Sequence, residues 1–378
     1  MGTTRYHGIG LMSGTSLDGV DLAYCNYTLE EKWSFNLLAA KTFHYDDKLK
    51  TELMHAHHFS GVKLMALDAA LAKHFSICIN HFVDDFKILP QFISSHGHTV
   101  FHQPVNKQDH LQVFETLENR PFTTQIGSGA IISALTGIDV VCDFRTADVA
   151  LGGQGAPLVP IGDAILFNQY DYCLNLGGIA NISFDKNTLN NKTERLASDL
   201  CFANMGLNYL ASKVGLDYDA DGKLAASGFV DALLLEQLNN LEFHQQPFPK
   251  SIGKEYFEKA VRPLLDESTL EIKNKLRTFC EHILIQIKNN LPLSEKINPT
   301  LLITGGGAHH VFLTDLIRRN SNASLVILSD DIIDFKEAIL FGFLGVLRLR
   351  GENNTLSSVT GAGMNTCSGA IYKGQKIY

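Results

Sequence analysis

The sequence predicts an α/β protein of two domains, each a mixed sheet with helices on both faces. Three observations lead there. Two apolar strand–glycine turn–strand units recur about 160 residues apart. Each is followed by helical spacing and further short apolar strands. A late buried strand closes on consecutive glycines, Thr304-Gly-Gly-Gly307. At 378 residues and roughly 150 residues per domain, the chain has room for two or three such units.

The elements follow in order. His7-Gly-Ile-Gly-Leu-Met12 is an apolar run that breaks at Ser13-Gly-Thr-Ser-Leu-Asp-Gly19. Val20–Tyr27 and Trp33–Phe43 resume the strand pattern, since β-branched and aromatic residues split by a glycine-rich turn signal a hairpin. Helical spacing takes over from Asp47 to about Asp85, with Leu64, Leu67, Leu71, Phe75 and Ile79 on one side. Gln91–Ser95 is a strand running into His96-Gly-His98. A second cycle starts near Ser128 with a helix, a strand over Ile138–Cys142 and the segment Gly152-Gly-Gln-Gly-Ala-Pro-Leu158. Tyr172–Phe184 repeats the opening theme around Gly177 and Gly178. Residues 202–292 are mostly helical in pattern, then come strands at Thr300 and over Ser324–Leu328, and a helix over Phe335–Leu349. No linker composition marks a boundary. The repeat places it near 125, giving domains 1–125 and 126–359, with a tail of about 360–378 packing back on the first.

Composition narrows the function classes. Hydrophobic residues are 45% and charged residues 19%, enough to fill sizeable cores. Lys and Arg number 32 against 40 Asp and Glu, a net charge of −8, which argues against a nucleic-acid or anionic-membrane partner. The seven cysteines are scattered without a Cys-x-x-Cys pair, as expected of reduced thiols. Gly8–Met12 is too short for a leader, and no apolar run approaches the ~18 residues of a membrane span. A cytoplasmic protein is expected.

The turn Ser13–Asp21 suits an anion. Gly14, Thr15, Ser16, Leu17, Gly19 and Val20 offer backbone N–H groups and hydroxyls, while Asp18 suits Mg²⁺ through a bound water and Asp21 lies just beyond. An ordinary hairpin turn capped by its own Ser and Asp side chains uses the same residues. It is neither a Walker loop nor G-x-G-x-x-G. Gly177-Gly178 and Gly305-Gly306-Gly307 complete a triple of glycine turns. That triple resembles the phosphate- and adenosine-binding turns of the actin, sugar-kinase and chaperone ATPases, whose domains are ribonuclease H-like and flank an interdomain cleft.

A closer resemblance runs through Met12–Asp21, Ser95-His-Gly-His-Thr-Val-Phe-His102, Thr124-Gln-Ile-Gly127, Asp143-Phe-Arg145 to Asp148, and Gly152-Gly-Gln-Gly-Ala-Pro-Leu-Val-Pro160. It continues through Asn175-Leu-Gly-Gly-Ile-Ala-Asn181, Pro249-Lys-Ser-Ile-Gly-Lys-Glu-Tyr-Phe257, Thr304–Gly307, Lys336-Glu-Ala338 and Ser358-Val-Thr-Gly-Ala362. In this order, from residue 8 to 362, the blocks resemble the anhydro-N-acetylmuramic acid kinases. The resemblance implies ATP and Mg²⁺ as cofactors, a homodimer, and 1,6-anhydro-N-acetylmuramic acid as substrate. Such enzymes open the anhydro bridge with water while phosphorylating O6, giving N-acetylmuramic acid 6-phosphate and ADP in cell-wall recycling. Their base is the Asp of an Asp-Thr-Gly-Pro-Gly-Asn segment. Asp199-Leu-Cys-Phe-Ala-Asn204 matches it here, keeping Asp and Asn but neither glycine nor the proline. Asp199 is thus the expected base. The resemblance also implies a sugar site of His96, Gly97, His98, Gln125, Gly127, Arg145, Asp148, Gly152, Gly153, Gln154, Asn204 and Glu337.

Plainer readings use the same residues. Asp199 suits an N-cap before a Phe202–Lys213 helix, Asp143 and Arg145 a structural ion pair, and Glu337 a helix-dipole partner. His96-x-His98, with His102, also resembles the H-x-H of a metal-dependent hydrolase. The altered loop after Asp199 suits a sugar-sensing relative without catalysis.

Overall fold

The computed structural model describes residues 3–14, 17–104, 120–187, 193–292, 294 and 296–375. Thr15 and Ser16, expected at the phosphate turn, lie outside them. Residues 1–166 and 335–378 form one unit and residues 167–334 a second. The boundary expected near 125 is therefore misplaced. The strand Asp139–Cys142 joins the first unit's sheet, so everything between 125 and that strand belongs there too.

In the first unit, β1 (Thr4–Met12), β2 (Gly19–Leu29) and β3 (Trp33–His44) form an antiparallel meander. β4 (Phe92–Ser95) pairs parallel to β1. β5 (His98–Gln103) and β6 (Phe122–Ile126) make a separate two-stranded ribbon. β7 (Asp139–Cys142) pairs parallel to β4. Alternation along β1 decides what covers each face. Ile9 and Leu11 enter a core with Leu67, Leu71 and Phe75 of the Gly61–Phe86 helix. Gly8 and Gly10 face the other way. A Cβ on Gly10 would sit 1.8 Å from the Ala338 carbonyl oxygen and 2.8 Å from the Gly342 nitrogen. Glycine thus lets helix backbone lie against strand backbone, and Ser94 Oγ donates to Phe341 O at 2.5 Å across the same contact.

The second unit repeats the topology. β8 (Tyr172–Leu176), β9 (Ile179–Asn187) and β10 (Thr193–Phe202) form the meander. β11 (Thr300–Thr304) pairs parallel to β8 and β12 (Ser324–Ile327) parallel to β11. The order β10-β9-β8-β11-β12 matches β3-β2-β1-β4-β7 in the first unit, where β13 (Ala370–Tyr372) adds an antiparallel edge on β7. Both sheets have the ribonuclease H-like order. Leu174, Leu176, Ile182 and Phe202 share a core with Phe279 and Ile283 of the Ile272–Asn290 helix.

Several local readings change. The helix expected from Asp47 is two helices, because Ser60 caps a new one by accepting from Lys63 N. The helix expected from Phe335 begins at Asp330, so Glu337 sits inside it and is no N-terminal dipole partner. The helix after Asp199 begins at Asn204 with Ala203 at its cap, and Asp199 belongs to β10.

Candidate active site

In the second unit Asn204 is bonded to the Gly177–Gly178 turn, and its side chain lies beside Gly306 and Gly307 of the other. Its backbone N–H donates to Gly177 O at 3.0 Å and its Nδ2 to Leu176 O at 3.0 Å, while Ala203 N and Met205 N both donate to Gly178 O. On the facing turn, Gly305 has φ +79° and a Cβ there would lie 2.5 Å from Asn175 Oδ1; one on Gly307 would lie 2.6 Å from Leu176 Cβ. Those two glycines are needed for packing. Gly178 and Gly306 are not: a Cβ on either meets nothing nearer than 3.7 and 3.5 Å respectively, and both residues are exposed. Open backbone at two converging turns is what a ligand's phosphates or nucleoside require, because N–H groups can be reached without a side chain intervening.

Asp199 lies at the end of β10, paired with Asn181 just before the register shifts at a bulge. Its backbone N–H donates to Lys250 O at 2.9 Å. Ser251 Oγ and Ile252 N both donate to Oδ2, at 3.2 and 3.0 Å. Among the described residues Oδ1 has no partner. Burial pushes the carboxyl's pKa up, and the two hydrogen bonds oppose that. A half-engaged carboxylate with a raised pKa is a competent proton acceptor. The residues after it, Leu200, Cys201, Phe202 and Ala203, are 3% exposed or less. Apolar side chains in the core therefore occupy the stretch where glycines and proline were expected.

In the first unit His96, Arg145 and the 152–155 turn form one network. Arg145 Nε and Nη2 lie 3.1 and 2.9 Å from His96 Nε2, and Nη1 donates to Gly155 O at 2.6 Å. His96 Nδ1 lies 2.9 Å from Gly97 O. Burial and the Arg145 charge lower the His96 pKa to about 3, so the ring is neutral with its proton on Nδ1 and Nε2 accepting. Arg145 is itself lowered to about 10 by burial, against Glu337 and Asp148. It makes no ion pair with Asp143, whose Oδ1 accepts from Thr146 N instead. Because both His96 nitrogens are engaged, the ring cannot ligate a metal without breaking this network. Among the described residues, no group of three or more His, Cys, Asp or Glu side chains could hold a metal ion.

Asp148 departs from expectation. It has no accessible surface, Oδ2 accepts from Gly155 N at 2.8 Å, and Oδ1 accepts from Thr360 Oγ1 at 2.7 Å. It ties the turn to residue 360 and cannot touch a sugar. Gly153 serves the same joint, since a Cβ there would meet Asp148 Oδ2 at 2.2 Å. Gln154 N donates to Thr360 O, and Gly152, with φ +80°, faces open space.

His98 is buried, with Nδ1 3.2 Å from Ser13 Oγ, which also accepts from Tyr45 OH at 2.7 Å. That chain of bonds fixes the start of the Ser13–Asp18 turn against the His96–His98 strand end. A cavity of about 270 Å³ is lined by His96, Gly97, Gln125, Gly127 and Asp143 among others. Asp68 Oδ1 accepts from Gly127 N and Ser128 N at its wall, a role not apparent from sequence. Leu17 has φ +60°, Asp18 is exposed, and Asp21 Oδ1 accepts from Thr42 Oγ1 at 2.6 Å. Burial raises the Glu337 pKa, opposed by Arg145 and Lys336 and reinforced by Asp21. Glu337 is nevertheless an exposed residue by its overall accessibility. Lys336, its neighbour, pairs with buried Asp163 at 2.8 Å, a second residue that sequence did not single out.

Residues 5–374 match the family described as anhydro-N-acetylmuramic acid kinase. Proteins carrying that name are similar over their whole length. The one from Sulfurovum sp. (strain NBC37-1) is 36% identical, covering 98% of this chain and 100% of its own. That of Aliivibrio fischeri (strain ATCC 700601 / ES114) is 34% identical, covering 96% and 98%. That of Sulfurimonas denitrificans (strain ATCC 33889 / DSM 1251) is 31% identical, covering 97% and 99%. The chain belongs to the anhydro-N-acetylmuramic acid kinase family.

Proposed function

We propose that the protein converts 1,6-anhydro-N-acetylmuramic acid, water and ATP to N-acetylmuramic acid 6-phosphate and ADP. The observation that carries this reading is Asp199 Oδ1, without a partner among the described residues, on the strand that leads to Asn204 and the Gly177–Gly178 turn. An anhydro sugar has no free 6-hydroxyl. As water adds to the anomeric carbon, the C1–O6 bond breaks and O6 takes the γ-phosphoryl group, so a carboxylate must accept the water's proton. Asp199 Oδ1 fills that role.

The remaining residues bind and orient. Gly178 and Gly306 leave backbone open for ATP, and Gly14, Gly19 and Val20 flank the other turn, whose Thr15 and Ser16 remain assigned by resemblance. Asp18, exposed and in reach of solvent, would hold Mg²⁺ through a water, and the adjacent pair of Asp21 and Glu337 gains from any cation near it. Bound Mg²⁺ would offset charge on the phosphates. Burial and the Arg145 charge keep His96 neutral, and His96 with Gln125, Gly97 and Gly127 lines the cavity side for the amino sugar. Asp148, Gly153 and Gln154 hold that wall in place. We assign the protein to the cytoplasm, which its seven free cysteines support. The homodimer rests on the family resemblance. No helix among the described residues is long and apolar enough to cross a membrane.

The test is incubation of the protein with ATP, Mg²⁺ and the anhydro sugar. ADP release that depends on the sugar, with a 6-phosphorylated reducing sugar as product, is expected. Binding without turnover would favour the non-catalytic sensor. Sugar hydrolysis without ATP, lost on chelation, would overturn the kinase reading.

A further inference from the structure

Asp199 is held from behind by residues of the Pro249–Phe257 block, to which the sequence resemblance assigned no role at the site. Lys250 runs beside β10: its N–H donates to Ser198 Oγ at 2.9 Å, and its carbonyl accepts from Asp199 N and from Ser198 Oγ. Lys250 is buried, 8% exposed, yet among the described residues it pairs with no carboxylate. Its ammonium instead donates to the carbonyls of Phe243 and His244, at 3.1 and 3.3 Å, over the Phe243 ring. The buried ammonium ties Lys250 back to residues 243 and 244, and the Lys250 backbone ties that segment to β10 through Ser198 and Asp199, so removing a partner would strand a buried polar group.

The next two residues use that fixed position. Ser251 Oγ and Ile252 N–H both reach Asp199 Oδ2, and neither reaches Oδ1. We propose that Ser251, carried on the segment pinned by Lys250, is a positioning residue: with the Ile252 N–H it engages Oδ2, fixes the plane of the Asp199 carboxylate and reserves Oδ1 as the proton acceptor. The proposal rests on the assignment of Asp199 as the base. Burial raises the Asp199 pKa while these two donors lower it, so they also hold the base in its ionised form.

Ser251 is exposed, so its substitution leaves the core intact. Ser251→Ala and Ser251→Thr are compared with the parent for kcat, KM and melting temperature, and for the pH dependence of kcat. Ser251→Ala is expected to lower kcat about three- to tenfold, with KM for ATP and sugar unchanged. Its acid limb should move up by about half a pH unit, since one hydrogen bond to the ionised form is gone. Ser251→Thr should restore both. An acid limb that stays at the parent position in Ser251→Ala overturns the proposal, whatever its kcat. Asp199→Asn, assayed alongside, separates the two claims. Parent-like turnover in that variant defeats the base assignment itself, whereas an inactive Asp199→Asn with an unmoved Ser251→Ala limb defeats only the positioning role.

Discussion

Asp148 and Asp199 each stand beside a glycine-rich turn, one in each unit, but their oxygens are spent differently. Asp148 is fully buried and both its oxygens accept from the protein, one from Gly155 N–H and one from the Thr360 hydroxyl. Asp199 gives both of its bonds to Oδ2. A carboxylate with both oxygens engaged and no access to solvent is architecture, and one with an unengaged oxygen can take a proton. Family resemblance assigned Asp199 as the base and Asp148 to the sugar site, with nothing in the sequence to show how each carboxylate is used. Counting donors at each oxygen separates them.

The contrast can be broken by substituting each in turn. Asp199→Asn should cut turnover by ~10²-fold or more, the usual scale for a positioned base, with ATP affinity and melting temperature near the parent. Steady-state ADP release with calorimetry would check both. Asp148→Ala should do the opposite. It strands a buried N–H and a hydroxyl, costing about 2–3 kcal/mol in urea unfolding, while turnover of the folded fraction stays within a few-fold. Equal loss of turnover without loss of stability would return Asp148 to the chemistry.

His96 sharpens the first unit's side. Its pKa is lowered from 6.5 to about 3 in the fold, so below pH 6.5 the unfolded chain binds a proton that the native state refuses. Stability is therefore full above that value and falls as the pH drops toward 3. The stability advantage of the parent over His96→Gln should shrink by about 1–2 kcal/mol between pH 7 and 5, read from denaturation midpoints. The smallest effect is expected at Gly306, whose added Cβ has room. Gly306→Ala should leave stability unchanged and raise the KM for ATP several-fold, because it intrudes only on the ligand's side.

The strands and glycine turns could be read from the chain because they depend on local pattern: apolar runs of fixed period, interrupted where backbone must turn. The domain boundary could not. Ile138–Cys142 looks like any buried strand, and which sheet it joins is decided by parallel pairing with Phe92–Ser94, a contact between residues far apart in sequence. The site divides in the same way. The glycine turns and Asp199 were found through motif resemblance, whereas the uses of Asp148, Asp68, Ser251 and the Lys336–Asp163 pair depend on burial and donor geometry. Asp199 shows the limit most clearly. An Asp ahead of an apolar helix suits an N-cap, and only the strand bulge and the approach of residues 250–252 place it elsewhere.

The pH dependence of kcat in the parent and in Asp199→Asn tests the base assignment most directly. Burial holds the Asp199 pKa above the ordinary value of 3.8. The base works only when ionised, so the parent rate should climb with pH through an inflection above that value. In Asp199→Asn the residual rate should be flat across the same range. An Asp199→Asn enzyme that keeps the parent's acid limb would show that another group takes the proton, and would contradict the account.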